Sequence, residues 1–152
     1  MTAKDDRRRS TLDWLVAHPA AEVRPWHDPV IQQCGFDARH SYVEQFWLPI
    51  LGPSAVLALR RLADWLDRHP AGVQIDLVEF GSSLGIGTGT GRHTQINRTL
   101  SRLIDFRLAR ITDDLLEIRT IWPPVPDGLR RRLPLTLLDA LDDRDRRCTS
   151  SP

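Results

Sequence analysis

The run from Gly85 to Gly91 constrains this chain most, because its four alternating glycines are incompatible with a regular helix or strand. An amphipathic segment lies on each side of it. Residues 55–69 and residues 94–106 each place apolar side chains on one face at helical spacing. Both segments are therefore predicted as helices, with a flexible loop between them. Their apolar faces are expected to pack together through Leu59, Leu62 and Leu66 on one side and Ile96, Leu100, Leu103 and Ile104 on the other.

Capping residues predict where further helices begin. The predicted caps and helices are Ser41 with residues 42–48, Ser54 with residues 55–69, and Asp76 with residues 77–84. Ser41 and Glu44 have the spacing of a capping box, and Pro49 is expected to end that helix.

The C-terminal third is predicted to contain one hairpin and one helix. Residues 108–112 and 115–122 are β-prone runs joined at Asp113-Asp114. Residues 129–141 favour a last helix, interrupted early by Pro134. The fold class is therefore mainly α with one small β-hairpin.

Three regions follow from these boundaries. Residues 1–40 are expected to form an N-terminal arm, with residues 1–10 disordered, a short helix at 11–18 and an irregular stretch at 19–39 anchored by Trp26 and Phe36. Residues 41–141 form the predicted folded domain. Residues 142–152 are charged and then rich in Ser and Pro, and are expected to be a disordered tail.

Composition excludes several classes of protein. The chain has 152 residues and a net charge of +1, so no overall field directs it to nucleic acid or membrane surfaces. Its longest apolar run is five residues, at 55–59, which excludes a membrane span. Its two cysteines, Cys34 and Cys148, lie far apart, and no apolar stretch follows the charged N-terminus. These features predict a reduced, cytoplasmic protein.

Motifs for catalysis and cofactors are weak. Gly81-Ser-Ser-Leu-Gly85 has the letters of a nucleophile elbow around Ser83, but a predicted helix precedes it where the elbow needs a strand. The histidines never pair at metal-ligand spacing with each other or with cysteine. The glycines fit neither the dinucleotide fingerprint nor a P-loop. We therefore expect neither an enzyme nor a cofactor.

Positive charge is concentrated in one part of the chain. Residues 85–111 contain five arginines and a single acidic residue, Asp105, whereas residues 54–84 contain three arginines and four acidic residues. The glycine loop also places Arg92 beside a helix N-terminus, where an anion such as a phosphate is favoured.

The face of the 94–106 helix opposite its apolar stripe carries side chains that can contact DNA. Its candidates are Thr94, Gln95, Arg98, Ser101 and Arg102. Arginine pairs with guanine edges, glutamine with adenine edges, and serine or threonine with phosphates. A solvated helix face is the alternative interpretation of the same pattern.

The order of helices at 55–69, 77–84 and 94–106 followed by a hairpin at 108–122 resembles a winged helix-turn-helix domain. The runs Asn97–Leu103 and Phe106–Ile111 look like the recognition helix and first wing strand of bacterial winged-helix regulators. This resemblance implies a winged-helix fold with N- and C-terminal helical extensions, and a major-groove role for the 94–106 helix. It places Arg92, Thr94, Gln95, Arg98, Ser101 and Arg102 towards DNA, and Arg110 and Arg119 near the wing.

Some features depart from that resemblance. The glycine loop is longer than the usual turn, Arg107 stands where a glycine cap is usual, and the Asp113-Asp114 turn is acidic. Residues 42–47 and 51–54 resemble runs in actinobacterial proteins, a likeness that carries no function.

The sequence thus favours a protein that binds double-stranded DNA and regulates transcription. The alternative is a winged-helix module for protein–protein contact, or a subunit of a larger assembly, without sequence-specific DNA binding. The low net charge and the acidic turn favour this alternative. Leu57 lies among the charges of the 55–69 helix and is expected to be covered by the arm or by a second chain, so a homodimer stays open.

Overall fold

The computed structural model describes residues 2–150. Helices make up most of this range, as the sequence predicts, but six short strands form two sheets where a single hairpin was expected. The α-helices are α1 (Ala3–Ala17), α2 (Pro29–Cys34), α3 (Leu48–Leu51), α4 (Pro53–Arg68), α5 (Leu77–Ser83), α6 (Gln95–Asp105), α7 (Asp127–Arg130) and α8 (Leu135–Thr149), and a π-helix spans Val43–Trp47.

The strands form two sheets. They are β1 (Ala20–Pro25), β2 (Phe36–Asp37), β3 (Val73–Asp76), β4 (Ala109–Thr112), β5 (Leu115–Ile118) and β6 (Ile121–Trp122). The larger sheet has the order β3-β1-β5-β4, and β2 pairs with β6. Strand β1 is antiparallel to β3 and parallel to β5, while β4 and β5 form the predicted hairpin. The second predicted run of the hairpin is divided, because residues 121–122 leave the hairpin and pair with β2.

Strand β1 contradicts the prediction of an irregular arm over residues 19–39. Ala21 and Val23 are completely buried, and the residues between and around them are exposed or half-buried. This alternation is the pattern of a strand with one buried face. It covers too few residues to stand out among the prolines of this stretch, and pairing on both edges supplies the remaining stabilisation.

Helix α1 contradicts the prediction of disorder for residues 3–10, while Met1 of the predicted range lies outside the described residues. Its N-terminus has a capping box, in which the Thr2 hydroxyl accepts from the backbone N–H of Asp5 at 3.2 Å. Leu12 and Leu15 are buried near its other end. A single helix therefore replaces the short one expected at residues 11–18.

The anchors expected for the arm differ in role. Phe36 packs against the core and stacks on Tyr42, with ring centroids 3.8 Å apart. Trp26 is half-buried and lies beside two arginine side chains of the hairpin region.

The capping box predicted at Ser41 and Glu44 does not form. The backbone is helical there, but it continues as the π-helix and α3 without a side-chain cap. Glu44 instead lies 3.6 Å from the guanidinium of Arg60. Pro49 lies in the first turn of α3, a position that tolerates its missing N–H, rather than ending a helix.

The starts of α4 and α5 lie closer to their predicted positions. Helix α4 begins at Pro53, one residue before the predicted cap Ser54, because Gly52 with φ +84° ends the preceding helix. Asp76 caps α5 as predicted and accepts from the backbone N–H of Glu79 at 2.9 Å.

The predicted helix at 129–141 is two helices, α7 and α8, separated at Pro134. Helix α8 continues to Thr149, so the prediction of a disordered tail from residue 142 is wrong up to that point. Arg130 forms ion pairs with Asp142 and Asp145, which attach this charged segment to α7. Residues 151–152 of the predicted tail lie outside the described residues.

The core contains the predicted apolar stripes. Helices α4 and α6 contact each other. Leu59, Leu62, Leu100 and Leu103 are completely buried in one cluster, and the other predicted members, Leu66, Ile96 and Ile104, belong to it or pack against it. Leu57 is 50% exposed, so the N-terminal arm does not cover it.

We expect Leu100→Ala to lower the free energy of unfolding by about 2–5 kcal/mol, because it removes a fully buried side chain and leaves a cavity between helices. Chemical denaturation measures this change. Leu57→Ala on the same helix pair is the control and should stay within about 0.5 kcal/mol. Equal effects of the two substitutions would contradict the assigned core.

Candidate functional site

Helix α6 is held at both ends by local contacts. Thr94 is its N-cap, and the Thr94 hydroxyl accepts from the backbone N–H of Asn97 at 3.4 Å. The carbonyl of Gly91 accepts from the Asn97 amide at 2.9 Å. At the other end, Arg107 has φ +58°, the left-handed conformation in which glycine is more common, and the Leu108 N–H donates to the Leu103 carbonyl at 3.0 Å.

A groove of about 930 Å³ lies along the exposed side of α6. Its walls are the first half of α1 and residues 49–55, and it continues to residues 104–107. We call it the basic groove because seven of its lining side chains are basic and one is acidic, Asp105. The basic residues are Lys4, Arg7, Arg8, Arg98, Arg102, Arg107 and Arg132.

Three predicted site residues line this groove. Gln95 and Arg98 are exposed, and the Gln95 amide lies 3.5 Å from the Ser54 hydroxyl. Arg102 donates to the Ile50 carbonyl at 2.7 Å, so part of its guanidinium is engaged by the wall of the groove. Within the described part of the chain, the Arg98 side chain has no hydrogen bond or ion pair and is free to bind an anion.

The prediction that Ser101 is exposed is wrong. Its side chain is 1% exposed and its hydroxyl has no partner among the described residues. Helix α1 contacts α6, and Thr11, Leu12 and Leu15 of α1 are buried in the protein. A face that is polar by periodicity is therefore covered by a segment almost 90 residues away in sequence.

Thr94 and Arg92 lie outside the basic groove. The Thr94 hydroxyl is occupied as a cap and donates to the Gly91 carbonyl at 3.2 Å. Arg92 forms an ion pair with Asp13 and donates to the Arg9 carbonyl at 3.2 Å. It lines a smaller neighbouring pocket together with Arg8, Arg9, His93 and Arg98.

The two arginines predicted near the wing have structural contacts. Arg110 forms an ion pair with Glu117 at 2.8 Å and lies over the Trp26 ring at 4.3 Å. Arg119 is 8% exposed, which contradicts its predicted place on a DNA-facing surface. It donates to the Arg107 carbonyl at 2.8 Å and to Asp28 at 3.1 Å, and it covers Trp26 at 3.6 Å.

The Arg119–Asp28 pair also affects the acid–base properties of Asp28. The hydrogen bond from Arg119, helped by the backbone N–H groups of Ile31 and Val30, holds the pKa of the Asp28 carboxyl below its usual range. Its stabilising contribution is therefore present above the unfolded-state pKa and is lost as the pH falls through the lowered value.

The sequence analysis missed the groove residues outside α6. Lys4, Arg7 and Arg8 have helical i, i+3, i+4 spacing, so a helix prediction for residues 3–10 would have placed them on one face. Arg107 and Arg132 carry no local pattern, because only the tertiary fold brings them to α6.

The motif around Ser83 lacks the geometry of a nucleophile elbow. It lies at the end of α5, and the Ser83 hydroxyl donates to the Phe80 carbonyl of the same helix at 2.7 Å. Ser83 and His69 line one cleft, yet no hydrogen bond joins them in the described structure.

Between residues 2 and 150, no group of three or more His, Cys, Asp and Glu side chains is placed to hold a metal ion. Over the same range, no helix combines the length and apolarity needed to cross a bilayer.

We expect Arg119→Ala to lower the free energy of unfolding by about 1.5–3 kcal/mol, because it removes charge-assisted hydrogen bonds from a buried side chain. Arg110→Ala is the matched control, since its ion pair is exposed and should be worth less than about 1 kcal/mol. Urea unfolding of both variants measures the difference, and a smaller loss for Arg119 than for Arg110 would contradict its structural role.

We expect Ser83→Ala to leave the thermal melt unchanged and Ser83 to resist a fluorophosphonate probe, because its hydroxyl donates to the Phe80 carbonyl and no base among the described residues is hydrogen-bonded to it. Mass spectrometry of the treated protein detects any adduct. Covalent labelling at Ser83 would show that the expectation of no hydrolase site is wrong.

No protein-family model, curated protein or solved structure matches this chain.

Proposed function

We propose that this protein binds double-stranded DNA through the basic groove and regulates transcription. This proposal is based on the charge of that groove. The lining has seven basic side chains and one acidic side chain, although the whole chain has a net charge of only +1. A local surplus of this size favours a polyanion, and the sugar–phosphate backbone is the commonest polyanion in a cell.

The order of elements supports a winged-helix interpretation. Helices α4, α5 and α6 are followed directly by the β4–β5 hairpin, which is the order that the resemblance requires. Strand β1 is the main addition, since it lies between β3 and β5 in the sheet.

The free face of α6 is a narrow stripe. Gln95, Arg98 and Arg102 line the groove at i, i+3 and i+7, and Asp105 continues the same line. Gln95 and Arg98 are the candidates for base contacts, whereas Arg102 is positioned by Ile50 and suits a phosphate. So few base contacts imply that phosphate contacts dominate affinity and make it strongly dependent on salt.

We expect Arg98→Ala to weaken binding to a preferred duplex by about 1–3 kcal/mol if Arg98 contacts a base. If it contacts a phosphate, affinity falls for all sequences and the salt slope falls by about one. Fluorescence anisotropy with a duplex selected from a random pool measures both. Arg68→Ala is the control, because Arg68 is equally exposed on α4 but lies outside the groove.

Wild-type protein that binds no duplex more tightly than the non-specific level of about 10⁻⁴–10⁻⁶ M would remove the regulator proposal. If Arg98→Ala and Arg68→Ala lower the affinity for the duplex equally, then net charge, and not the groove, is responsible for DNA binding.

A second candidate function is recognition of an acidic protein surface. The observation that favours it is the tip of the β4–β5 hairpin, which is bound to α1: Trp14 donates to the Asp113 carbonyl at 3.1 Å, and His18 lies 3.4 Å from Asp114. A tip that is acidic and held against the protein does not supply the phosphate contacts of a DNA-binding wing, which leaves the basic groove to an acidic protein partner. Competition between the selected duplex and an oligo-glutamate peptide separates the two candidates.

A further inference from the structure

The first half of α1 lines the basic groove but buries no side chain in the hydrophobic core. Every residue from 3 to 10 is exposed. The second half is anchored, because Leu12 and Leu15 are buried and Trp14 donates to the Asp113 carbonyl at 3.1 Å. Residues 3–10 thus extend from an anchored helix, with the capping box of Thr2 and Asp5 at their free end.

Three of the four basic side chains of this exposed segment line the groove, and the fourth, Arg9, lines the neighbouring pocket. Lys4, Arg7 and Arg8 line the groove across from Arg98 and Arg102 on α6, whereas Asp5 lines the neighbouring pocket. Like charges that face each other across a groove raise the free energy of the unbound protein. A bound chain of phosphates between the two helices converts that repulsion into attraction on both sides.

We propose that residues 3–10 of α1 are the second wall of a nucleic-acid site, in which Lys4, Arg7 and Arg8 contact backbone phosphates on the flank opposite α6. This inference rests on the proposed function and adds to it. The binding unit is then the pair of helices, and α6 does not act alone as a projecting recognition helix.

The proposal has three measurable consequences. Each phosphate neutralised by a basic side chain contributes about 0.9 to the slope of log K against log salt, so three contacts contribute about 2.7. The same three contacts are worth a few hundredfold in affinity at about 0.1 M salt. Binding also holds residues 3–10 in place, which slows hydrogen exchange of their helical amides.

The test compares two triple variants of the full chain. Lys4→Ala, Arg7→Ala and Arg8→Ala together remove the wall, and Arg68→Ala, Arg146→Ala and Arg147→Ala remove the same charge from exposed positions outside the groove. The substituted side chains are all exposed, so circular dichroism and the melting temperature should stay close to wild type for both variants. Duplex binding is measured by anisotropy over a salt series, and hydrogen exchange of residues 7–10 is measured with and without duplex.

We expect the wall variant to lower the salt slope by about 2–3 and the control to change it by less than one. We expect the duplex to protect residues 7–10 in the wild type. If the wild type binds the duplex and both variants bind it with the same salt slope and affinity, this inference is overturned and the proposed function stays intact. Absence of any wild-type binding would overturn both, and an oligo-glutamate peptide that competes equally at equal charge would overturn the nucleic-acid assignment.

Discussion

The pairing of β1 with both β3 and β5 is the interaction on which the rest of the structure depends. It joins the N-terminal segment to the strand before α5 and to the hairpin after α6. Strand β1 follows α1 after a short connection, so its place in the sheet determines where α1 crosses the domain. Helix α1 then packs on α6 and forms one wall of the basic groove.

The arginines divide into those that hold the fold and those that are free to bind. Arg119 bridges Asp28 and the Arg107 carbonyl while it is almost completely buried, and Arg130 joins α7 to α8. Arg92 connects the start of α6 to Asp13 of α1. A buried or paired guanidinium has already exchanged its water for protein partners, so binding an anion would require those contacts to be given up. Arg98 carries no such cost and is the best candidate for contact with a ligand.

The groove also changes how α6 can act. A helix that enters the major groove presents a broad polar face, whereas α1 covers the face of α6 that contains Ser101. The stripe that remains is narrow and lies between the basic first half of α1 and the uncharged residues 49–55. Such a surface is better suited to holding a phosphate backbone than to reading many base edges, because phosphate contacts need charge and reach but little projection.

The sequence by itself determined the elements that local pattern specifies. Apolar residues at helical spacing predicted α4 and α6 and their mutual packing, Asp76 predicted the start of α5, and the alternating glycines predicted the loop between them. These features depend on residues within a few positions of each other, where periodicity and capping act.

Only the tertiary structure decided what happens to residues with no such pattern. Residues 20–25 become a central strand because two distant strands supply hydrogen-bonding partners on both edges. Ser101 is buried because α1 covers it, and Lys4, Arg7 and Arg8 join Arg98 and Arg102 because α1 crosses α6. The physical reason is that burial and electrostatic neighbourhood are set by contacts between segments far apart in the chain, which leave no mark on the local order of residues.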